Sequence, residues 1–246
     1  MTTHFTNVLR QAFKTFDRAN HASFNANLQH LRQMTDELTH RDLHLREELF
    51  RNVDVGVASR RAPCSYMHIF EDERFSMSLF IVRERSDIPL HDHPMMFGLL
   101  RCIWGQLLVQ SYTQQVGSDE PIIYDPHPTV VKVNAEEPSL VTPDSPCAVL
   151  TPRRRNYHQI TQTGNGGVAA FFDILSPPYD ADMPVYGPRQ CRFYSPRADG
   201  GQLQLQCIPS PTTYYCDVLE TPESVLEAAF QCADEAYNAA NASETQ

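Results

Sequence analysis

His91-Asp-His93 is the first place in this chain to look for chemistry. Residues i and i+2 of a strand point to one face, about 7 Å apart at their Cα atoms, so two imidazoles at that spacing reach one metal ion. Pro89 and Pro94 bracket the segment and pin it. A third neutral donor has to come from elsewhere in the fold. His158, in Leu150-Thr-Pro-Arg-Arg-Arg-Asn-Tyr-His-Gln-Ile160, opens a predicted strand after a turn and is the best candidate; His68, on an earlier strand, is the fallback. Three imidazoles without a carboxylate suit Fe, Zn, Cu or Ni and do not suit Mg or Ca. Such a set leaves coordination positions open for water, substrate or O2. Ligand type alone does not separate iron from zinc.

The elements that must position these residues follow from the rest of the sequence. The chain has 246 residues with 20 basic and 30 acidic side chains, a net charge of −10. Without a basic stripe, so acidic a chain is expected to bind no nucleic acid. Apolar stretches such as Ser78–Val82 and Val168–Phe172 fall far short of the roughly 20 residues that span a bilayer, so no membrane partner is expected. The cysteines number 7, with no CxxC pair and no apolar signal segment, which predicts free thiols in a reducing cytosol or nucleus. No heptad or large apolar face stands out, so a monomer is expected.

Phe5, Val8, Leu9, Ala12, Phe13 and Phe16 recur at helical spacing, as do Leu28, Leu31, Met34 and Leu38, with Asn25 or Asn27 near the second cap. From Ser65 the texture changes to short strands. They are expected around Tyr66–Phe70, Phe75–Val82, Leu99–Tyr112, Val130–Val133, Cys147–Thr151, Tyr157–Gln162 and Val168–Leu175, with a hairpin connection at residues 164–167. No helical pattern separates them, which is the signature of an antiparallel sandwich or barrel. The stretch from Ser176 to Pro211 reads as proline-rich and irregular; a last strand is expected at Tyr214–Leu219 and a helix at Pro222–Ala240. The expected division is a helical segment at 1–50, a barrel at 51–220, and a helix and tail at 221–246.

His91-Asp-His-Pro-x-Met, followed by Gly105, resembles the first motif of the cupin superfamily, except that Phe97 or Gly98 holds the slot of that motif's acidic ligand. The match narrows over Ser65-Tyr-Met-His-Ile-Phe-Glu71, Ile88–Pro94, Leu150-Thr-Pro, Asn156–Ile160 and Ala169–Asp180. These segments, in this order, resemble the cysteamine (2-aminoethanethiol) dioxygenase and plant cysteine oxidase family of thiol dioxygenases. The similarity runs from about Ser65 to Tyr194, and no match is evident from Arg197 to Gln246. The resemblance implies a mainly β cupin barrel, a double-stranded β-helix or jelly roll, with N-terminal helices and a C-terminal helix. It implies one Fe(2+) per chain on His91, His93 and His158. It also implies O2-dependent conversion of a thiol to a sulfinic acid, with cysteamine or the N-terminal cysteine of peptides and proteins as substrate. In the protein case the product feeds an N-degron route, which makes such an enzyme an oxygen sensor.

Two further residues are assigned catalytic roles. Asp173, in Phe-Phe-Asp-Ile-Leu, is expected to accept an N–H from a ligand histidine, His158 first, and so fix its tautomer. Tyr179, in Pro-Pro-Tyr-Asp, is expected to hydrogen-bond the substrate or the bound oxygen species. Asp92 should point away from the metal and order its loop. Tyr66, Phe75, Met95, Met96 and Phe97 are candidates to line the pocket. Animal members of the family carry a Cys–Tyr thioether in the stretch that Cys191-Arg-Phe-Tyr194 resembles; here Phe193 occupies the tyrosine position, so no equivalent crosslink is expected. Two other readings compete: a cupin metalloenzyme of different chemistry, and a cupin that binds a ligand without turnover.

Overall fold

Phe5, Val8, Leu9, Ala12 and Phe13 lie along one buried side of helix α1 (Thr3–Thr15), and Phe16, just past its end, joins the same core. This computed structural model describes residues 3–17, 21–51, 62–117, 119–164 and 167–244. The other helices are α2 (Phe24–Asp36), α3 (Glu48–Arg51) and α4 (Glu223–Glu244). Helix α2 begins directly after a 3-10 turn at His21–Ser23, so Asn25 and Asn27 lie inside it and do not cap it. Asn27 is buried, and its amide donates to the Lys14 carbonyl at 3.4 Å. Helix α4 packs on α1, where Arg10 meets Glu235 at 3.0 Å.

The strands run β1 (Cys64–Glu71), β2 (Ser76–Val82), β3 (Asp87–Asp92), β4 (Phe97–Trp104), β5 (Leu107–Gln114), β6 (Val130–Ala135), β7 (Ser139–Val141) and β8 (Ala148–Leu150). They continue with β9 (Tyr157–Gln162), β10 (Ala169–Ser176), β11 (Asp182–Met183), β12 (Gly187–Pro188), β13 (Phe193–Asp199), β14 (Gln202–Ile208) and β15 (Cys216–Val218). One sheet has the order β15-β1-β2-β10-β4-β8 and the other β6-β14-β13-β3-β9-β5-β7, and β6 also pairs with β5. From β2 to β5 and from β7 to β10 successive strands alternate between the two facing sheets, which form the expected jelly roll. The outer face of the first sheet, with Met67, Ile69, Met77, Leu79, Phe172 and Ile174, packs on the helices. Its inner face shares a second core with the opposite sheet, which explains why β2 is buried on both sides.

The apolar run 99–112 is divided by Gly105, which turns the chain with φ at +69° and sends β4 and β5 to different sheets. Two expectations need correction. The connection at 164–167 is no hairpin: β9 pairs with β3 and β5, whereas β10 pairs with β2 and β4. Asn165 and Gly166 lie outside the described residues. The stretch read as irregular contains β13 and β14, an antiparallel hairpin turned by Gly200 and Gly201, both at positive φ. That hairpin adds β13 to β3 beside the histidine pair, with Phe193 opposite His91.

Candidate metal centre

Strand β3 pairs with β9 through Ile88↔Ile160 and then His91↔His158, with one extra residue on β3 between the two pairs. Such a bulge re-aims the side chains beyond it. A regular register would set Leu90 opposite His158; the bulge beside Pro89 delivers His91 instead. His93 sits one residue past the strand end and stays in line because its N–H donates to the Asn156 carbonyl at 2.8 Å. The three rings then converge, with centroids 4.7–4.8 Å apart. One ring nitrogen from each of His91, His93 and His158 lies within 4.8 Å of the others. The Nε2 atoms of His93 and His158 are 3.0 Å apart, a separation suited to two nitrogens sharing an ion about 2.1 Å from each. His68 is exposed on β1 and takes no part in the cluster.

The surroundings favour neutral imidazoles and, for His91 and His93, a free Nε2. His91 sets its Nδ1 against the Pro89 carbonyl at 2.9 Å, an acceptor that requires Nδ1–H. Tyr179 donates its hydroxyl proton to the Asp92 carbonyl at 2.5 Å, so its oxygen accepts Nδ1–H from His93 at 2.8 Å. Burial pushes His91 down to about 4, and holds His93 and His158 well below the usual histidine range, with the neighbouring imidazoles adding to the effect. Neutral imidazole is the form that ligates metal.

Acid should therefore unfold the metal-free protein. Between about pH 6.5 and 4 the unfolded chain protonates His91 and the folded one does not, so stability falls as pH falls through that window. About 3 kcal/mol is expected from His91 alone. Denaturant titrations of metal-free parent and metal-free His91→Ala protein at pH 7 and pH 5 check this: the parent should lose more stability than the variant between the two, and equal changes would contradict it.

The position of the missing acidic ligand explains why the set stops at three. Gly98 faces the barrel interior, and a Cβ there would meet Leu150 Cγ at 2.8 Å and Leu175 Cδ2 at 2.9 Å. Phe97 points the other way, into the helical layer against Phe24, with ring centroids 4.9 Å apart. Neither position has room to aim a carboxylate at the histidines.

The histidines open into a cavity of about 210 Å³. Its apolar walls include Phe80, Leu100, Ile160, Phe171 and Phe193. None of Tyr66, Phe75, Met95, Met96 and Phe97 lines it. Phe75 and Phe97 serve the helical core, and Met95 borders a separate cavity behind Asp92. Among the described residues, Asp173 is the one carboxyl lining the cavity. Protein surrounds it, part of its surface opens into the cavity, and burial raises it to about 7. No hydrogen bond joins it to His158 among the described residues. A contact of the kind expected of Asp173 is made by Tyr179, to His93, and Tyr179 also lines the cavity.

Asp92 does order its loop. Its carboxylate accepts from the Arg192 backbone N–H and Nε, both at 2.9 Å, and from the Tyr194 hydroxyl at 2.8 Å. Tyr194 is thus buried on the far side of β13 from the cavity, while Cys191 and Phe193 face into it. Sequence reasoning missed Arg192 as the partner of Asp92; the only available sign was the i, i+2 alternation of Cys191-Arg-Phe-Tyr194.

Tyr179→Phe should keep the ring packed but strip His93 of its acceptor. We expect about 10–100-fold weaker metal binding at nearly unchanged stability, measured by titration against a chelator. Unchanged affinity would mean that another group orients His93.

Fold and site together define a cupin barrel carrying a three-histidine site fit for a metal ion. The family model PCO_ADO matches residues 34–238, and the chain belongs to that family. The match extends past Arg197, so the β13–β14 hairpin and most of α4 lie within the family's span. The chain is 33% identical over 172 residues to 2-aminoethanethiol dioxygenase of Homo sapiens, covering 58% of this chain and 60% of that protein. It is 28% identical over 157 residues to plant cysteine oxidase 1 of Arabidopsis thaliana, covering 62% and 50%. The chain thus spans about 60% of the length of the 2-aminoethanethiol dioxygenases it matches. A cupin superfamily protein from Desulfitobacterium hafniense superposes with a TM-score of 0.33 at 11% identity, over 50% of this chain and 84% of that one. The strand order itself carries the fold class.

Proposed function

We propose that this protein is an Fe(II)-dependent thiol dioxygenase that converts a 2-aminoethanethiol unit to the corresponding sulfinic acid with O2. The observation that carries the reading is the donor set: three buried, neutral imidazoles with no carboxylate, set in an apolar cavity of a PCO_ADO family barrel. Bound there, Fe(II) would supply the redox chemistry that activates O2 and the positive charge that acidifies the substrate thiol. The overall change, R–SH + O2 → R–SO2H, removes four electrons from sulfur, and one O2 accepts four. No reducing cosubstrate is needed, in keeping with a sequence that has no GxGxxG or P-loop.

The chain's own residues then have separable tasks. His91, His93 and His158 hold the ion. Tyr179 fixes His93 in the tautomer that ligates, and Asp92 clamps the intervening backbone to β13. The apolar walls exclude water from the reacting sulfur. Asp173 faces the substrate's ammonium group and is ionised when that group binds, because a nearby cation favours the carboxylate. A cavity of about 210 Å³ suits an aminoethanethiol unit, which cysteamine and an N-terminal cysteine share.

The direct test uses isotopically labelled O2. Iron-loaded protein is supplied with cysteamine and, separately, with a peptide that begins in cysteine. Both oxygen atoms of the sulfinate should carry the label for at least one substrate, and the rate ratio ranks the two. A product that takes one oxygen from water would overturn the dioxygenase reading.

A further inference from the structure

Cys64 on β1 and Cys216 on β15 are directly opposed in a parallel pairing, and both thiols are free. Neighbouring parallel strands lie about 4.8 Å apart, inside the roughly 4.4–6.8 Å window of Cα separations that a disulfide spans. In parallel register the two side chains share one face, and both belong to the core between the sheets. Cys64 is fully buried, whereas Cys216 is partly open to solvent on the edge strand. We propose that Cys64 and Cys216 form a redox-active thiol pair, in which Cys216 attacks a small disulfide and Cys64 resolves it into a bond between β1 and β15.

The neighbourhood fits this division of labour. The Tyr214 hydroxyl lies 3.6 Å from Cys216 Sγ and is placed to donate to a thiolate there. The charged groups nearby are Asp217, on β15 itself, and Arg83, which bridges to Asp217 at 3.3 Å and donates from Nε to the Ala62 carbonyl at 2.7 Å. Cys216 is pulled down to about 7, chiefly by the Cys64 thiol and further by Tyr214, while Cys64 is pushed up by the same contact and by burial. The half-exposed thiol is therefore the nucleophile and the buried one the resolver.

The chemistry balances in two exchanges. Cys216 thiolate attacks R–S–S–R, giving the Cys216–S–S–R mixed disulfide and releasing RS⁻. The Cys64 thiol then displaces the second RSH and leaves the Cys64–Cys216 bond. Two protein thiols lose two electrons, and the reagent disulfide takes them up as two thiols. The bond would fasten an edge strand of three residues to β1. It would also hold the segment that carries Tyr214 against Phe193 on the wall of the metal cavity, where the ring centroids are 5.8 Å apart.

The test needs no turnover and so stands apart from the proposed reaction. Reduced protein is first alkylated at pH 7 for limited times, and Cys216 is compared with Cys207, the other partly exposed thiol, which burial pushes upward. Cys216 should react about tenfold faster or more. Protein treated with glutathione disulfide should then give a joined pair of Cys64 and Cys216 peptides, two hydrogens lighter than their sum. Cys64→Ser should stop at the glutathione adduct on Cys216, and Cys216→Ser should form neither species. In oxidised wild type, the Leu219 amide, which donates to the Tyr66 carbonyl at 2.8 Å, should exchange hydrogen more slowly. Equal alkylation of Cys216 and Cys207, or a treated wild type without the Cys64–Cys216 pair, would overturn the proposal.

Discussion

Replacing His158 with alanine should empty the metal centre while leaving the barrel folded. His158 is buried and faces His91 across the β3–β9 ladder, so its imidazole is fixed by the strand pairing on both sides. Its Nε2 lies 3.0 Å from that of His93, and two histidines alone would leave an ion with a half-built site. Loss of an outer partner of a ligand costs about 10–100-fold in metal affinity, and loss of the ligand itself should cost more. Ser111 lies opposite His158 on β5, and the backbone ladder survives the truncation. The substitution also removes a buried imidazole that resists protonation, so the metal-free variant should be less sensitive to acid than the metal-free parent. Iron analysis after desalting, with a thermal melt in parallel, reads both effects. Full iron stoichiometry in a folded His158→Ala protein would remove His158 from the ligand set.

Asp173→Asn should retain the metal and lose catalytic efficiency at neutral and alkaline pH. Among the described residues the cavity has no other carboxyl to meet a substrate ammonium group. A hydrogen bond to a charged group contributes about 1.5–3 kcal/mol, so kcat/KM should fall by about 10–100-fold. The parent should show a limb near pH 7, with kcat/KM falling as pH drops below it, because the carboxylate becomes the neutral acid there. Asparagine should abolish that limb. Stability moves the other way. A carboxyl raised to about 7 by burial loses stability as pH rises from about 4 through 7, so the asparagine variant should be at least as stable as the parent at pH 8. A variant with unchanged kcat/KM and an intact limb would return Asp173 to a structural role.

The histidine cluster was legible because two of its members lie at i and i+2 and the third opens a strand of clear β texture. The bulge that completes it was not legible, since only the pairing of Ile88 with Ile160 reveals the extra residue. The barrel was readable from the short strands between Ser65 and Leu175. Its β13–β14 hairpin was hidden by Pro196, although Gly200-Gly201 followed by Gln202-Leu-Gln-Leu-Gln206 carries both the turn and the alternation of a hairpin. Overlooking that hairpin also concealed the cavity wall, because Cys191 and Phe193 reach the metal centre only through the pairing of β13 with β3. Phe75 and Phe97 misled for a related reason. An aromatic residue beside a site motif looks like pocket lining, and only the sheet's two faces decide whether it points to the cavity or to the helices. Tyr179 was picked for a contact with substrate, and nothing in the sequence signals that its hydroxyl sits between the Asp92 carbonyl and His93 Nδ1.

The most direct test of the account is oxygen uptake by protein reconstituted anaerobically with Fe(II) and then given cysteamine or a cysteine-initiating peptide. One O2 should be consumed per thiol, and the product should be heavier by two oxygen atoms. Protein loaded with Zn(II) should consume none. Iron bound at one per chain with no uptake on either substrate would contradict the proposed chemistry, and failure to bind iron would contradict the three-histidine centre itself.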